Sequence, residues 1–227
     1  MPITQKRARA LLGDRLILQV DPRRLTHEIN NKKPIAKRLE NWLRPAPRAL
    51  RKAVTLPLRK NHPFIIGSGW FPDTTPFESL GKYRKVRDLF DNRSDFRRSQ
   101  WYATLDAELR AQGVARHKTI VMHSDQDIID FFDHYVGELI RSMERDGYIE
   151  GRGVDIGTAM IGHDGTLYKG SSGSHRFYTA RLLGTARVPV RVSCVHRGWL
   201  DSLGLPATAE GLEQLGEPLR EVEQRYR

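Results

Sequence analysis

Apolar residues recur at helical spacing most clearly over 125–146, where Ile128, Ile129, Phe131, Phe132, Tyr135, Val136, Leu139, Ile140 and Met143 fall three or four apart. Ser124 ahead of the run and Asp127 three residues on make a capping box with Asp in place of Glu, and Gly147 supplies the stop. The same spacing predicts a helix over Gln100–Gln112, with Trp101, Leu105 and Leu109 inward and Gly113 as its end. It also predicts one or two helices over 77–96, a charged helix over 207–225, and a helix over 25–44 interrupted at Lys33-Pro34. Strand patterns cover 16–20, closed by Asp21-Pro22, then 154–161 and 188–192. Arg48–Lys60 is basic with spaced apolar residues, and Pro57 is expected to interrupt its amphipathic face. The stretch 61–76 reads as a loop rich in Pro and Gly that packs Ile65, Trp70 and Phe71 on the core.

The stretch 161–195 organises the rest. Asp164-Gly165 between apolar runs is a strong hairpin signal. Gly170-Ser171-Ser172-Gly173-Ser174 can adopt unusual dihedrals and approach a ligand closely. Ser174 suits an N-cap for a helix over 175–183, with Phe177, Ala180, Leu182 and Leu183 inward and Gly184 at its end. A small-residue loop running into a helix N-terminus offers free N–H groups and a positive dipole end. Lys169, Gly170, Ser171, Ser172, Gly173, Ser174, His175 and Arg176 are therefore the candidate phosphate-binding residues. His175 and Asp164 are the candidates for proton transfer, with His163 as an alternative. The group His196-Arg197-Gly198-Trp199 stands at a strand end, a common place for ligand residues. Arg197, Trp199 and, in the earlier loop, Trp70 are candidate substrate contacts.

The order hydrophobic–Asp164-Gly165–hydrophobic, Gly173-Ser174-His175-Arg176, Ala180, Leu183-Gly184 and Val188-Pro189-Val190 resembles the ParB/sulfiredoxin-like superfamily. The resemblance covers about 40 residues firmly, with the helix over 125–146 as an extension. It implies an α+β fold, a small mixed sheet with packed helices, and a loop and helix start that bind ATP, ADP or CTP with Mg²⁺. The chain departs from the family in two ways. Ser174 stands where sulfiredoxin has its cysteine, and about 30 residues follow Val195 where the partition proteins carry a DNA-reading domain. A looser similarity links the aromatic-rich centre, Gly147-Tyr148 and the His196–Trp199 ending to a ParB-like group associated with bacterial surface-polysaccharide loci.

Composition changes the picture in three places. With 227 residues, 39% hydrophobic and 29% charged, the chain can bury a proper core. The single cysteine, Cys194, forbids an internal disulfide and suits a reducing compartment. No apolar run spans a bilayer, so a cytoplasmic protein is expected, with the inner membrane face as a peripheral station. Of the net charge of +11, residues 1–60 carry 16 basic and 4 acidic residues, a balance of +12. That segment is a candidate for nucleic acid, an anionic membrane surface or an acidic partner. His134, Asp130 and Asp133 read as a solvated helix face rather than a metal site, and Gly67-Ser68-Gly69 lacks the ending of a P-loop.

The expected organisation is a basic arm at 1–60, an aromatic-rich helical region at 61–120, a nucleotide-binding core at 121–200 and a C-terminal helix at 201–227. The leading expectation for function is a nucleotide-dependent kinase or phosphotransferase acting on a small or sugar-like acceptor, as in surface-polysaccharide synthesis. The alternatives are a nucleotide-gated DNA-binding protein and a non-catalytic nucleotide-sensing scaffold.

Overall fold

The structure, a computed structural model, describes residues 3–29, 33–149 and 156–227. It is α+β, a mixed sheet with packed helices. The chain forms two compact units that interleave in sequence: Met1–Pro76, Glu150–Gly173 and Ala186–Arg227 make the first, and Phe77–Ile149 and Ser174–Thr185 the second.

The first unit is built on the strand Val188–His196, buried along nearly its whole length. It pairs parallel with Gly157–Ile161 and antiparallel with Ile17–Val20, while Ile65–Ile66 adds in parallel beside its end at Val195 and His196. The order continues through Leu167–Gly170 and His27–Ile29 to Thr75–Pro76. The Asp-Gly hairpin forms as predicted, with Ile161 opposite Leu167 and Gly165 at φ +78°. Residues 154 and 155 of the predicted strand lie outside the described residues. Helix Gly216–Tyr226 buries Leu219 and Val222 and is hydrogen-bonded to the sheet. The Gln19 amide donates to Glu223 Oε1 at 3.0 Å, and the Leu167 amide donates to Tyr226 Oη at 3.0 Å.

Four expectations in this unit are corrected. Within 25–44, His27–Ile29 is a strand parallel to Leu167–Gly170, and helix begins only at Pro34, where the missing N–H costs nothing. Glu28 and Ile29 are fully buried there, so sheet pairing overrides the helical spacing. Pro57 does not break helix Arg48–Lys60, which runs through it. Trp70 is 47% exposed instead of anchoring the core; Phe71 does that, packing with Tyr168 on Ile29, Ile66, Met160 and Cys194. The C-terminal helix is two helices, Ala209–Glu213 and Gly216–Tyr226.

The second unit is helical, with one small hairpin, Ala115–His117 against Ile120–Met122. Gln100–Gln112 forms as predicted, capped by Ser99 and ended by Gly113. The 77–96 stretch resolves into helix Gly81–Asp91 between two short 3₁₀ turns, Phe77–Ser79 and Phe96–Arg98. The predicted long helix is present, with Ser124 capping it through the Asp127 amide, but its middle, Asp133–Gly137, is a π turn. A wider turn there presents Tyr135 differently from a regular helix, and such turns concentrate at functional sites. Helix Ser174–Leu183 buries Phe177, Tyr178, Thr179 and Ala180, with Leu182 and Leu183 half-buried.

Candidate functional site

The loop after Leu167–Gly170 folds around its own lysine. Lys169 is fully buried, and its ammonium donates to the carbonyls of Gly170 and Ser172. The amide of buried Ser172 donates to Thr158 Oγ1 at 3.4 Å. Gly173 follows at φ +65°, a conformation that favours glycine. The lysine expected to neutralise a phosphate is therefore committed to loop carbonyls.

Ser174, His175 and Arg176 form the first turn of the next helix, in the second unit. His175 Nε2 and the Tyr135 hydroxyl share a 3.0 Å hydrogen bond, with ring centroids 4.6 Å apart. Burial lowers the His175 pKa, and the charges of Lys118 and Lys82 lower it further, so the ring is neutral at pH 7. Arg176 donates to the Ile149 carbonyl at 2.6 Å and lies over the Tyr148 ring at 4.3 Å. What marks this helix start is its charge: Lys118 and Lys82 both act on the His175 ring, and a helix N-terminus favours an anion.

Next to it the second unit holds a ring cluster of Trp101, His117, Phe131 and Tyr135, with neighbouring centroids 5.1–5.8 Å apart. Lys85 Nζ sits 4.0 Å above the Trp101 ring, a cation–π contact. Trp101, Lys85 and Asp88 line a cleft of about 410 Å³.

The remaining candidates fall in the first unit. Both carboxylate oxygens of Asp164 are taken by Thr166, from its amide at 3.0 Å and its hydroxyl at 2.8 Å, which closes the turn. Trp199 is buried, with its Nε1 edge against Gly165. Arg197 is exposed and pairs with Asp201 at 3.3 Å. Trp70 lies under the Arg38 guanidinium at 5.2 Å.

A second cleft, in this unit, of about 690 Å³, is one that the sequence pattern did not single out. Ser68, Phe71 and Asp73 from the early loop line it together with His163, Tyr168 and His196. His196 is 7% exposed, with Phe71 edge-on at 5.1 Å and His163 at 5.9 Å. Its Nδ1 accepts the Gly198 amide at 2.9 Å, which leaves the neutral ring's proton on Nε2. Burial, then the neighbouring His163, lowers its pKa. Burial, then the Asp164 charge, raises that of the Tyr168 phenol. Gly162 makes room for that phenol, since a Cβ there would stand 2.7 Å from Tyr168 Cε2. The arrangement can accept or donate a proton at one imidazole while a second imidazole, a phenol and a carboxylate orient a polar ligand. Sequence marks His163 as a proton-transfer residue and His196 only as part of a strand-end ligand group; nothing local marks Tyr168.

Among the described residues, no group of three or more His, Cys, Asp or Glu could hold a metal ion. No helix among them is long and apolar enough to cross a membrane. No protein-family model, curated protein or solved structure matches the chain.

Proposed function

We propose that this chain is a nucleotide-binding protein of the ParB/sulfiredoxin-like kind, taking the phosphates at the start of helix Ser174–Leu183. The observation that carries the reading is half-buried His175 in the first helical turn, bonded to the Tyr135 hydroxyl at 3.0 Å, with burial first and then the charges of Lys118 and Lys82 lowering its pKa. The holders differ from those expected. Arg176 and Lys169 are engaged with backbone carbonyls; the helix start and the charges of Lys82 and Lys118 are what favour an anion here. Mg²⁺ would arrive on the phosphates, whose oxygens it prefers. Phosphoryl transfer to a small or sugar-like acceptor, in the cytoplasm and in surface-polysaccharide synthesis, is the activity this reading carries. Titration calorimetry of the full chain with ATP, ADP, CTP and GTP, each with Mg²⁺, tests it. Lys82→Ala and Lys118→Ala should each weaken binding several-fold. If none of the four nucleotides binds, the reading fails.

The His163–His196 pair favours a second reading, in which the first unit's cleft holds a small polyhydroxylated ligand and His196 moves its proton. Sugars suit such a wall, because Phe71 and Tyr168 offer ring faces while Asp73 and the imidazoles take hydroxyl groups. Chemical-shift changes of His196 on adding neutral hexoses would support it, and their absence at millimolar sugar would remove it.

A further inference from the structure

Helices Pro34–Trp42 and Arg48–Lys60 form a hairpin in the first unit that leaves an apolar face in water. Of the eight large hydrophobic side chains exposed among the described residues, four are here: Trp42 at 78%, Leu50 at 53%, Val54 at 46% and Leu56 at 48%. The order is regular. Leu50, Ala53, Val54 and Pro57 recur at i, i+3, i+4 and i+7, so they share one helix face, and all four are exposed. The opposite face is the covered one, with Thr55 buried and Arg51, Leu58 and Arg59 half-buried. This amphipathic helix therefore turns its apolar row outward, the reverse of what a core would select.

Charge says what covers it. Residues 33–60 hold nine Lys and Arg against a single acid, Glu40, a balance of +8. Glu40 is itself engaged by Arg59, with Lys37 at 3.9 Å. Arg48 and Lys52, both exposed, lie on the side of the helix away from the row, and exposed Lys60 ends the helix beside it. Duplex nucleic acid would use the cations but would gain nothing from Leu, Val and Trp facing its phosphates. An anionic bilayer uses both. The apolar row enters the acyl boundary, Trp42 suits the headgroup level, and Lys and Arg stems reach back to lipid phosphates. The 13 residues of Arg48–Lys60 are too few to span a bilayer, so the helix lies in the interface plane.

We propose that this hairpin docks the chain on an anionic lipid surface. The inference is independent of the nucleotide reading, since it uses none of those residues. The test is co-sedimentation of the full chain with phosphatidylcholine vesicles, with and without phosphatidylglycerol, beside a duplex-DNA competitor. Binding is expected to the anionic vesicles alone. Leu50→Gln with Val54→Gln should weaken it by roughly tenfold or more, from the apolar area withdrawn from lipid. Arg48→Gln with Lys52→Gln should weaken it by a similar factor. Both pairs lie on exposed positions, so melting temperatures should stay unchanged and confirm that the fold is intact. No binding to anionic vesicles would overturn the proposal. So would binding indifferent to the Leu50/Val54 pair, or duplex DNA displacing the vesicles, since either makes the surface a charge-only one.

Discussion

Tyr135 and His175 share a 3.0 Å hydrogen bond between the π turn of one helix and the first turn of another. The two rings lie 4.6 Å apart at 56°, and burial raises the phenol pKa while lowering that of the imidazole. Both partners are thereby held neutral, so the bond links uncharged groups in a region whose positive field comes from lysines. Tyr135→Phe keeps the ring and removes the bond, which should cost about 1 kcal/mol in denaturant unfolding. Amide exchange at His175 and Phe177 should quicken with it. A loss below a few tenths of a kcal/mol would mean that ring packing alone holds the junction.

Four histidines share one direction of shift. Burial is the leading cause of lowered pKa values at His62, His117, His175 and His196. In each case the unfolded chain takes up a proton near pH 6.5 while the folded one resists, so the unfolded state binds more protons below that pH. Stability is then fully present above about pH 6.5 and falls as the pH drops from there toward the folded values. Each ring can contribute a slope of at most about 1.4 kcal/mol per pH unit. Urea midpoints should decline steadily from pH 7 to pH 5. His62, with its Nε2 buried and without a hydrogen-bond partner, should contribute to the decline, and His62→Phe should flatten it. Midpoints that rise on acidification would reject this assignment.

How legible all this was depends on how local each signal is. The helix from Gln100 to Gln112, the run around Phe132 and the Asp164-Gly165 hairpin are written in spacings of two to four residues, and they formed where expected. His27–Ile29 was misread because its fate is decided by Leu167–Gly170, some 140 residues away. The His163–His196 cleft escaped notice for the same reason, since Ser68, Phe71 and Asp73 join it from a distant loop. Lys169 was legible as a loop lysine but not as a buried one. Nothing in Lys-Gly-Ser-Ser-Gly says that the carbonyls, rather than the amides, turn toward the ammonium.

Gly162 sets the position of Tyr168 in that cleft. Gly162→Ala would put a methyl 2.7 Å from Tyr168 Cε2, so the phenol must move or the hairpin must shift. The expected cost is roughly 1–3 kcal/mol. Gly198→Ala meets the edge of His196 at 3.1 Å and should cost less. Thermal melts of the two variants rank them, and a Gly162→Ala protein as stable as its parent would show that the phenol is free to swing.

Lys169 offers the sharpest test of what holds the sheet to its loop. It is the register partner of Glu28 on the adjacent parallel strand, and both residues are fully buried. The ammonium also closes the loop by binding the Gly170 and Ser172 carbonyls. Lys169→Met preserves most of the stem volume but strips the charge and leaves buried acceptors short of a donor, a loss of roughly 2–4 kcal/mol. Glu28→Gln should be destabilising alone, yet combined with Lys169→Met it should cost less than the two losses added, because the pair then carries no stranded charge. Urea unfolding of the two single variants and the double variant completes the cycle. Additive losses would mean that the two side chains answer to separate partners, and a Lys169→Met loss under about 1 kcal/mol would mean that the loop closes without its lysine.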